Sequence, residues 1–416
     1  MVVTMRTLTR PSLGSQATCV KLEERTDASL VRTASAEPLN ATSCVGLSSA
    51  HMVEGKHDSG QGEAAIGRIP VVSKDGTPLM PCTSTKARKL LELGKARKQW
   101  SKLGIFHIQL HFNPTNPTTQ PLAIGVDSGS KFEGFSVVGT KDTVLNIMSE
   151  AVTWVSKAVK QRNQMRRGRR YRNTRRRPCR GNNRLHRGGF FPPSTKARWD
   201  AKLRIIKHLK TILPVKTIVV EDIKAWARKG QRRWNRNFSP LEVGKKYFYR
   251  ELRKMGLVAI LKTGIETQAL RERFDLKKIV NKSKPIFESH CVDAWVLAAS
   301  ETDASHPTAK AIYYAIPLRW HRRQLHRLEA KGGVRRRYGG TLSLGLKKGT
   351  LVKHGKFGLC YVGGNRTSRL SLHSLSTGRR LTRDAKREDF KILTRIGFRT
   401  QFLPRINSGV SLFGSL

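Results

Sequence analysis

Ile124-Gly125-Val126-Asp127-Ser128-Gly129-Ser130 reads as an apolar strand that runs into an aspartate and a glycine turn. Two later stretches share this grammar. Ile218-Val219-Val220-Glu221-Asp222 is a β-branched strand ending in acid, and His290-Cys291-Val292-Asp293-Ala294-Trp295 opens an apolar helix. Acid is scarce in this chain: 29 Asp plus Glu stand against 80 Lys plus Arg, a formal net charge of +51. Carboxylates that end apolar strands in so basic a protein are poor candidates for mere solubilising groups.

The surrounding pattern places the three stretches in one α/β unit. Residues 122–126, 134–139 and 143–149 read as three strands, and 217–220 and 257–261 as two more. Ala197, Ala201, Leu203, Ile206, Leu209 and Ile212 share a broad face, which predicts a helix over 196–213. Further helices are expected over 240–255 and 289–300. In this order Asp127 and Glu221 end neighbouring strands, and Asp293 arrives on a crossing helix. Hard oxygen ligands suit Mg2+ or Mn2+. Two such ions about 3.5–4 Å apart would activate a water and stabilise the leaving oxygen of a phosphodiester. His290 lies three residues before Asp293, so a continuous helix puts both on one face, where the imidazole would serve as base or ligand. Taken singly, Asp127 is an ordinary turn or N-cap residue, Glu221 a solvated strand end and His290 a helix cap. Their joint appearance in a cationic chain favours a metal site. The glycines at 125, 129 and 134 fit no dinucleotide or Walker spacing.

Charge names the class of partner. A pI near 11.1 points to a polyanion, because Lys and Arg release counterions from phosphates on binding. No apolar run approaches transmembrane length, and no basic amphipathic anchor is present, so no membrane role is expected. The six scattered cysteines form no C-x-x-C pair, which argues against a zinc knuckle and for reduced thiols in a cytoplasmic protein. From Lys157 to Arg187 there are fourteen Lys or Arg and no acid. Arg162, Arg166, Arg167, Arg169, Arg170, Arg172, Arg175, Arg176 and Arg177 would make a helix cationic on every face, stable only against an anionic partner such as an RNA or RNA–DNA backbone. A second run ends in Arg335-Arg336-Arg337, which adds phosphate contacts, with Trp320, Tyr338, Phe357 and Tyr361 nearby as stacking or packing residues.

The ends of the chain differ from its middle. Residues 1–65 carry six basic and seven acidic residues and little periodicity, and are expected to be a disordered extension. Ile69-Pro70-Val71-Val72 reads as a strand, 74–77 as a hairpin turn, 84–94 as a basic helix stopped by Gly94, and 106–112 as a strand. Past residue 310, glycine pairs alternate with short strands such as 358–362 and 369–373, which suggests a basic, barrel-like β-domain.

Taken together, these motifs resemble the transposon-encoded IscB/IsrB family of RuvC-like, RNA-guided nucleases. Pro78-Leu79-Met80-Pro81 is similar to that family's N-terminal PLMP module, and Gly125–Lys131 to RuvC motif I. Arg166-Arg167-Gly168-Arg169-Arg170 resembles the RRXRR signature of the bridge helix. Pro192-Pro193-Ser194 leading to Ile218–Glu221 resembles motif II, and His290–Ala294 motif III. Where IscB carries an HNH nuclease between motifs II and III, the 68 residues from 222 to 289 contain no histidine, so the chain resembles the IsrB branch. The resemblance implies an RNase H-like mixed sheet divided by an arginine-rich bridge helix. It implies a PLMP module over 66–115, RuvC-like part I over 119–154, the bridge over 155–190, RuvC-like parts II and III over 191–305, and a basic C-terminal domain over 306–416. It further implies a guide RNA (ωRNA), one protein per RNA, and a double-stranded DNA target beside a short adjacent motif. The product it implies is a nick in the displaced strand, made with two Mg2+ or Mn2+ ions in a prokaryotic cytoplasm, at the nucleoid. Base pairing would read sequence and the protein backbone shape. Two other functions remain open: a catalytically silent guide-RNA-binding protein, and an unguided structure-specific nuclease.

Overall fold

The computed structural model describes residues 68–171, 191–222, 242–319, 342–366 and 368–403. The expected extension at 1–65 lies outside these residues. The chain is mixed α/β, and its elements start with a four-stranded sheet. Strands β1 (Ile69–Val72), β2 (Pro78–Cys82), β3 (Ala96–Trp100) and β4 (Phe106–Leu110) stand in the order β2-β1-β4-β3, with helix α1 (Ser84–Glu92) between β2 and β3. The expected turn closes with Ser73 N donating to Thr77 O at 2.9 Å and Gly76 at φ 88°. Thr83 caps α1 by accepting from Lys86 N, and Gly94 ends that turn at φ 63°. The sequence pattern misses β3: Ala-Arg-Lys-Gln-Trp carries too little apolar alternation, and its pairing with β4 makes it a strand.

The central sheet has seven strands. β5 (Leu122–Asp127), β6 (Phe132–Gly139) and β7 (Thr143–Glu150) form an antiparallel meander. β8 (Thr217–Glu221) pairs parallel with β5, and β9 (Val258–Lys262) parallel with β8. On the far side β10 (Ile312–Pro317) pairs parallel with β7. The order is β18-β10-β7-β6-β5-β8-β9, where β18 (Phe398–Leu403) is the last described strand. This arrangement is compatible with the RNase H-like expectation. It corrects the boundary drawn at 305/306: residues 312–317 and 398–403, placed by pattern in the C-terminal domain, complete the central sheet. Asn146 on β7 is the local reason, since its side chain donates to the carbonyls of Ala309 and Ala311 and draws β10 alongside.

Both faces of this sheet are covered. Helix α2 (Trp154–Arg170) follows β7, and α3 (Pro193–Lys210) and α4 (Lys245–Lys254) follow it in sequence. α5 (Gly264–Arg273), the single turn α6 (Phe287–His290) and α7 (Val292–Ala299) complete the helices. Side chains alternate along β5. Leu122, Ile124 and Val126 join the core built with Trp199, Leu203, Ile206 and Leu209 of α3. Ala123 joins a second core with Cys291, Val292, Trp295 and Val296. The expected helix over 289–300 is broken at Cys291, so α6 and α7 are separate. The helix expected over 240–255 starts at Lys245, after Gly244 in the left-handed region.

After β10 the described chain resumes with a short ribbon, β11 (Leu342–Ser343) and β12 (Leu346–Lys347). β13 (Thr350–His354), β14 (Gly358–Arg366), β15 (Arg369–Ser374), β16 (Arg380–Ala385) and β17 (Phe390–Arg395) then form a sheet in the order β16-β15-β14-β13-β17. Its core is Val352, Cys360, Val362, Leu370, Leu372 and Phe390. Among the described residues it is an open antiparallel sheet rather than a closed barrel. Gly363 and Gly364 sit at a bulge in β14. Among the described residues no helix is long and apolar enough to cross a membrane.

Two glycines set the depth of packing on the α7 face. A Cβ on Gly125 would lie 1.7 Å from the backbone oxygen of Ala294, and one on Gly134 would lie 2.0 Å from that of His290. Backbone cannot yield as a flexible side chain can. Gly125→Ala is therefore expected to cost about 3 kcal/mol or more, the upper end of overpacking effects. Gly168→Ala, at an α2 position with open space around it, is expected to stabilise by up to about 1 kcal/mol through helix propensity. Urea midpoints of the two variants check this contrast.

Candidate metal centre

β5 and β8 are parallel neighbours, so Asp127 and Glu221 emerge at the same sheet edge. Asp293 lies in the first turn of α7, which crosses β5 over Gly125. One carboxylate oxygen from each of Asp127, Glu221 and Asp293 lies within 4.8 Å of the others. Among the described residues this is the acidic cluster with the geometry of a metal site. Asp222, next in sequence to Glu221, faces the other way and takes Lys245 at 2.7 Å and the Tyr249 hydroxyl at 2.9 Å.

The electrostatics of the cluster call for a cation. Burial, and the charges of Asp127 and Asp293, push the Glu221 carboxyl up to about 8. Burial also raises Asp127, with Lys278 opposing it. A hydrogen bond between the two carboxyls adds to the rise of Glu221 and lowers Asp127. Three hard carboxylates, desolvated and mutually repelling, fit a divalent ion such as Mg2+ or Mn2+. Asp127 and Glu221 line a cleft of about 650 Å³ whose other walls include Ser128, Lys131, Phe132, Lys282 and His290. Asp293 is 2% exposed and lies behind them.

His290 reaches this cleft but not the carboxylate cluster. Its Nε2 lies 3.1 Å from the carbonyl of Lys282, and its ring meets Phe132 edge-on at 5.2 Å. Burial lowers its pKa. The same-face argument from a continuous helix fails, because the break at Cys291 sets His290 on α6 and Asp293 on α7. His290 is thus placed as a cleft-wall group.

Sequence reasoning missed the cations of the site. Arg271 Nη1 donates to Asp293 Oδ1 at 2.6 Å, and Lys278 Nζ donates to Asp293 Oδ2. Lys278 also lies 3.9 Å from Asp127. Burial disfavours the Lys278 charge, but the carboxylates of Asp127, Asp293 and Glu221 outweigh it and raise its pKa. Arg271 rides on α5, whose start is legible as a capping box between Thr263 and Glu266. Lys278 has no such signal in a chain this basic. Beneath the site, Lys202 of α3 and Glu133 of β6 pair at 2.6 Å, almost wholly buried. Lys202 also stands 4.9 Å from the Trp199 ring. Within a helix that otherwise reads as amphipathic, a buried lysine is invisible until the partner is placed.

The candidate phosphate-binding arginines divide by position. Residues 160–168 of α2 are all exposed, which puts Arg162, Arg166 and Arg167 in solvent. Arg169 and Arg170 close the helix backbone. Arg172, Arg175, Arg176, Arg177, Arg335, Arg336 and Arg337, with Trp320 and Tyr338, lie outside the described residues. Tyr361 is 5% exposed and packs against His373, and Phe357 packs against His354, so both serve the C-terminal sheet.

Residues 69–235 match the family model described as RRXRR protein. The match runs from β1 through the arginine-rich segment to beyond Glu221, so it takes in the motifs up to Glu221 that resemble IscB- and IsrB-type proteins but not the stretch His290–Ala294. It is consistent with a nuclease-related protein. No curated protein matches the chain.

The raised Glu221 pKa has a consequence for metal-free protein. A carboxyl that holds its proton better when folded contributes stability fully present below its ordinary value of 4.5, and that contribution is lost as pH rises through about 8. The melting temperature after chelation is expected to fall across this window. Glu221→Gln should flatten the fall, and Mg2+ should reverse it at the alkaline end. Differential scanning calorimetry across pH checks this.

Proposed function

We propose that this chain is an IsrB-like, RNA-guided DNA endonuclease that nicks the displaced strand of an R-loop at a RuvC-like site. The observation that carries the reading is the convergence of Asp127, Glu221 and Asp293 within 4.8 Å in a chain of net charge +51. The match to RRXRR proteins over 69–235 supports the family placement.

Asp127, Glu221 and Asp293 would hold divalent metal, Mg2+ or Mn2+, as two ions. Bound there, such ions supply an activated water and a Lewis acid for the leaving oxygen. The chain's own residues do the rest. β5 and β8 fix two carboxylates on rigid strand ends, and α7 fixes the third. Lys131 and Lys282 on the cleft wall attract the sugar–phosphate backbone. His290 stands at the same wall with a lowered pKa, neutral and able to take a proton. Arg162, Arg166 and Arg167 on an exposed helix would bind the guide RNA, as the bridge helix of the family does, and the basic C-terminal sheet would bind RNA and the target-adjacent motif.

One observation favours a second reading, the catalytically silent guide-binding protein: both oxygens of Asp293 are already paired, with Arg271 and Lys278. An unguided nuclease would have little use for an exposed helix that is cationic all round.

Asp127→Ala is expected to abolish nicking of a target plasmid by the RNA-loaded protein while leaving RNA affinity unchanged. Wild type should give open-circular product only. Linear product would count against a single cutting site, and undiminished nicking by the variant would remove Asp127 from the mechanism. Replacing Arg162, Arg166 and Arg167 by Gln should weaken RNA binding and reduce the slope of log affinity against log salt by about 0.7–0.9 per lost phosphate contact. Filter binding at several salt concentrations measures it.

A further inference from the structure

Two side-chain cations hold Asp293. The carboxylate itself is 2% exposed and does not face the cleft. Lys278 does line the cleft, and its ammonium stands between the cleft and Asp293, bonded to Oδ2 and 3.9 Å from Asp127 Oδ2. Arg271, which does not line the cleft, holds the other oxygen, Oδ1. Lys278 therefore occupies the position in which a cation shared by Asp127 and Asp293 belongs.

We propose that Lys278 is the resident cation of this cluster, a positioning residue that bridges Asp127 and Asp293 until a divalent ion displaces it. Arg271 stays on Oδ1 and keeps Oδ2 aimed at Asp127, so Oδ2 is the oxygen that passes from ammonium to metal. Repulsion between cations supports the exchange. A divalent ion entering beside an unmoved ammonium would meet strong repulsion at about 4 Å in a half-buried site. Lys278 has somewhere to go. It sits between α5 and α6 in a segment without regular structure, and its side chain is 27% exposed. Withdrawn, the ammonium remains at the mouth of the cleft beside Lys282. The paired state of Asp293 is then a resting state of a working site rather than a sign of a dead one.

The proposal rests on the nuclease reading for the purpose of the metal, but its test does not involve cleavage. Mn2+ binding to the full chain, after chelation and without DNA, is measured by titration calorimetry or by loss of the free Mn2+ signal in electron paramagnetic resonance. Lys278→Gln should bind Mn2+ roughly tenfold or more tightly than wild type, since one opposing charge is gone, and Lys278→Arg should return affinity toward the wild-type value. Without metal, Lys278→Gln should melt below wild type, and saturating Mn2+ should erase that difference. A folded Lys278→Gln with wild-type or weaker Mn2+ affinity overturns the proposal, as does the absence of binding by both proteins. A fold-independent check uses the wild-type chain alone. In its crystals with Mn2+, Lys278 Nζ should have left Asp293 Oδ2, and an ammonium still bonded there beside a bound ion overturns the exchange. A chain that binds Mn2+ with this dependence but never nicks defeats the nuclease reading and keeps the proposal. A nicking chain whose Mn2+ affinity ignores Lys278 does the reverse.

Discussion

Helix α7 rests on bare backbone. At Gly125 and Gly134 there is no Cβ between the central strands and the backbones of α7 and α6, and neither position has room for one. That contact sets how deeply the helix sinks, and its depth decides whether the Asp293 carboxylate reaches Asp127 and Glu221. The two faces of β5 are built accordingly. Large residues at 122, 124 and 126 fill the core beneath α3, while Ala123 and Gly125 keep the other face low. Trp295 secures the same helix laterally, donating from Nε1 to Thr143 Oγ1 at 2.8 Å.

Charge is the second constraint, and it works against the first. Packing α7 so closely buries Asp293 and crowds it against the two half-buried carboxylates of Asp127 and Glu221. The protein offsets this with cations of its own: Arg271 and Lys278 at Asp293, and Lys202 at Glu133 one layer below. Ion pairs of this kind rarely add much net stability, because desolvation consumes most of the attraction. Their use here is placement. They hold carboxylates in a geometry that a divalent ion can use, at a site otherwise prone to fly apart or take up protons.

Much of the central sheet could be read in advance. The apolar strands at 122–127 and 217–221 and the acids that end them are local patterns, and so is the amphipathic face of α3. The arginine-rich helix was equally legible, since its exposure follows from a composition that no core accepts. The misses share one cause. β3 is polar in pattern and becomes a strand by pairing with β4. β10 and β18 lie far along the chain, beyond the apparent domain boundary, yet pair with each other, and β10 pairs with β7. The break at Cys291 falls inside an unbroken helical pattern. Each outcome depends on a partner strand or helix that no local window contains.

The sequence by itself determined the strong positive charge, the strands that carry Asp127 and Glu221, the helix that carries Asp293, and the choice of glycine at 125 and 134. Those are properties of composition and of spacing within a few residues. Only the tertiary structure decided what the glycines are for, that His290 lines the cleft without joining the cluster, and that Arg271 and Lys278 already hold Asp293. The reason is the range of the forces. Strand and helix patterns arise from neighbours along the chain, whereas clearance between backbones and attraction between buried charges exist only after distant segments have met.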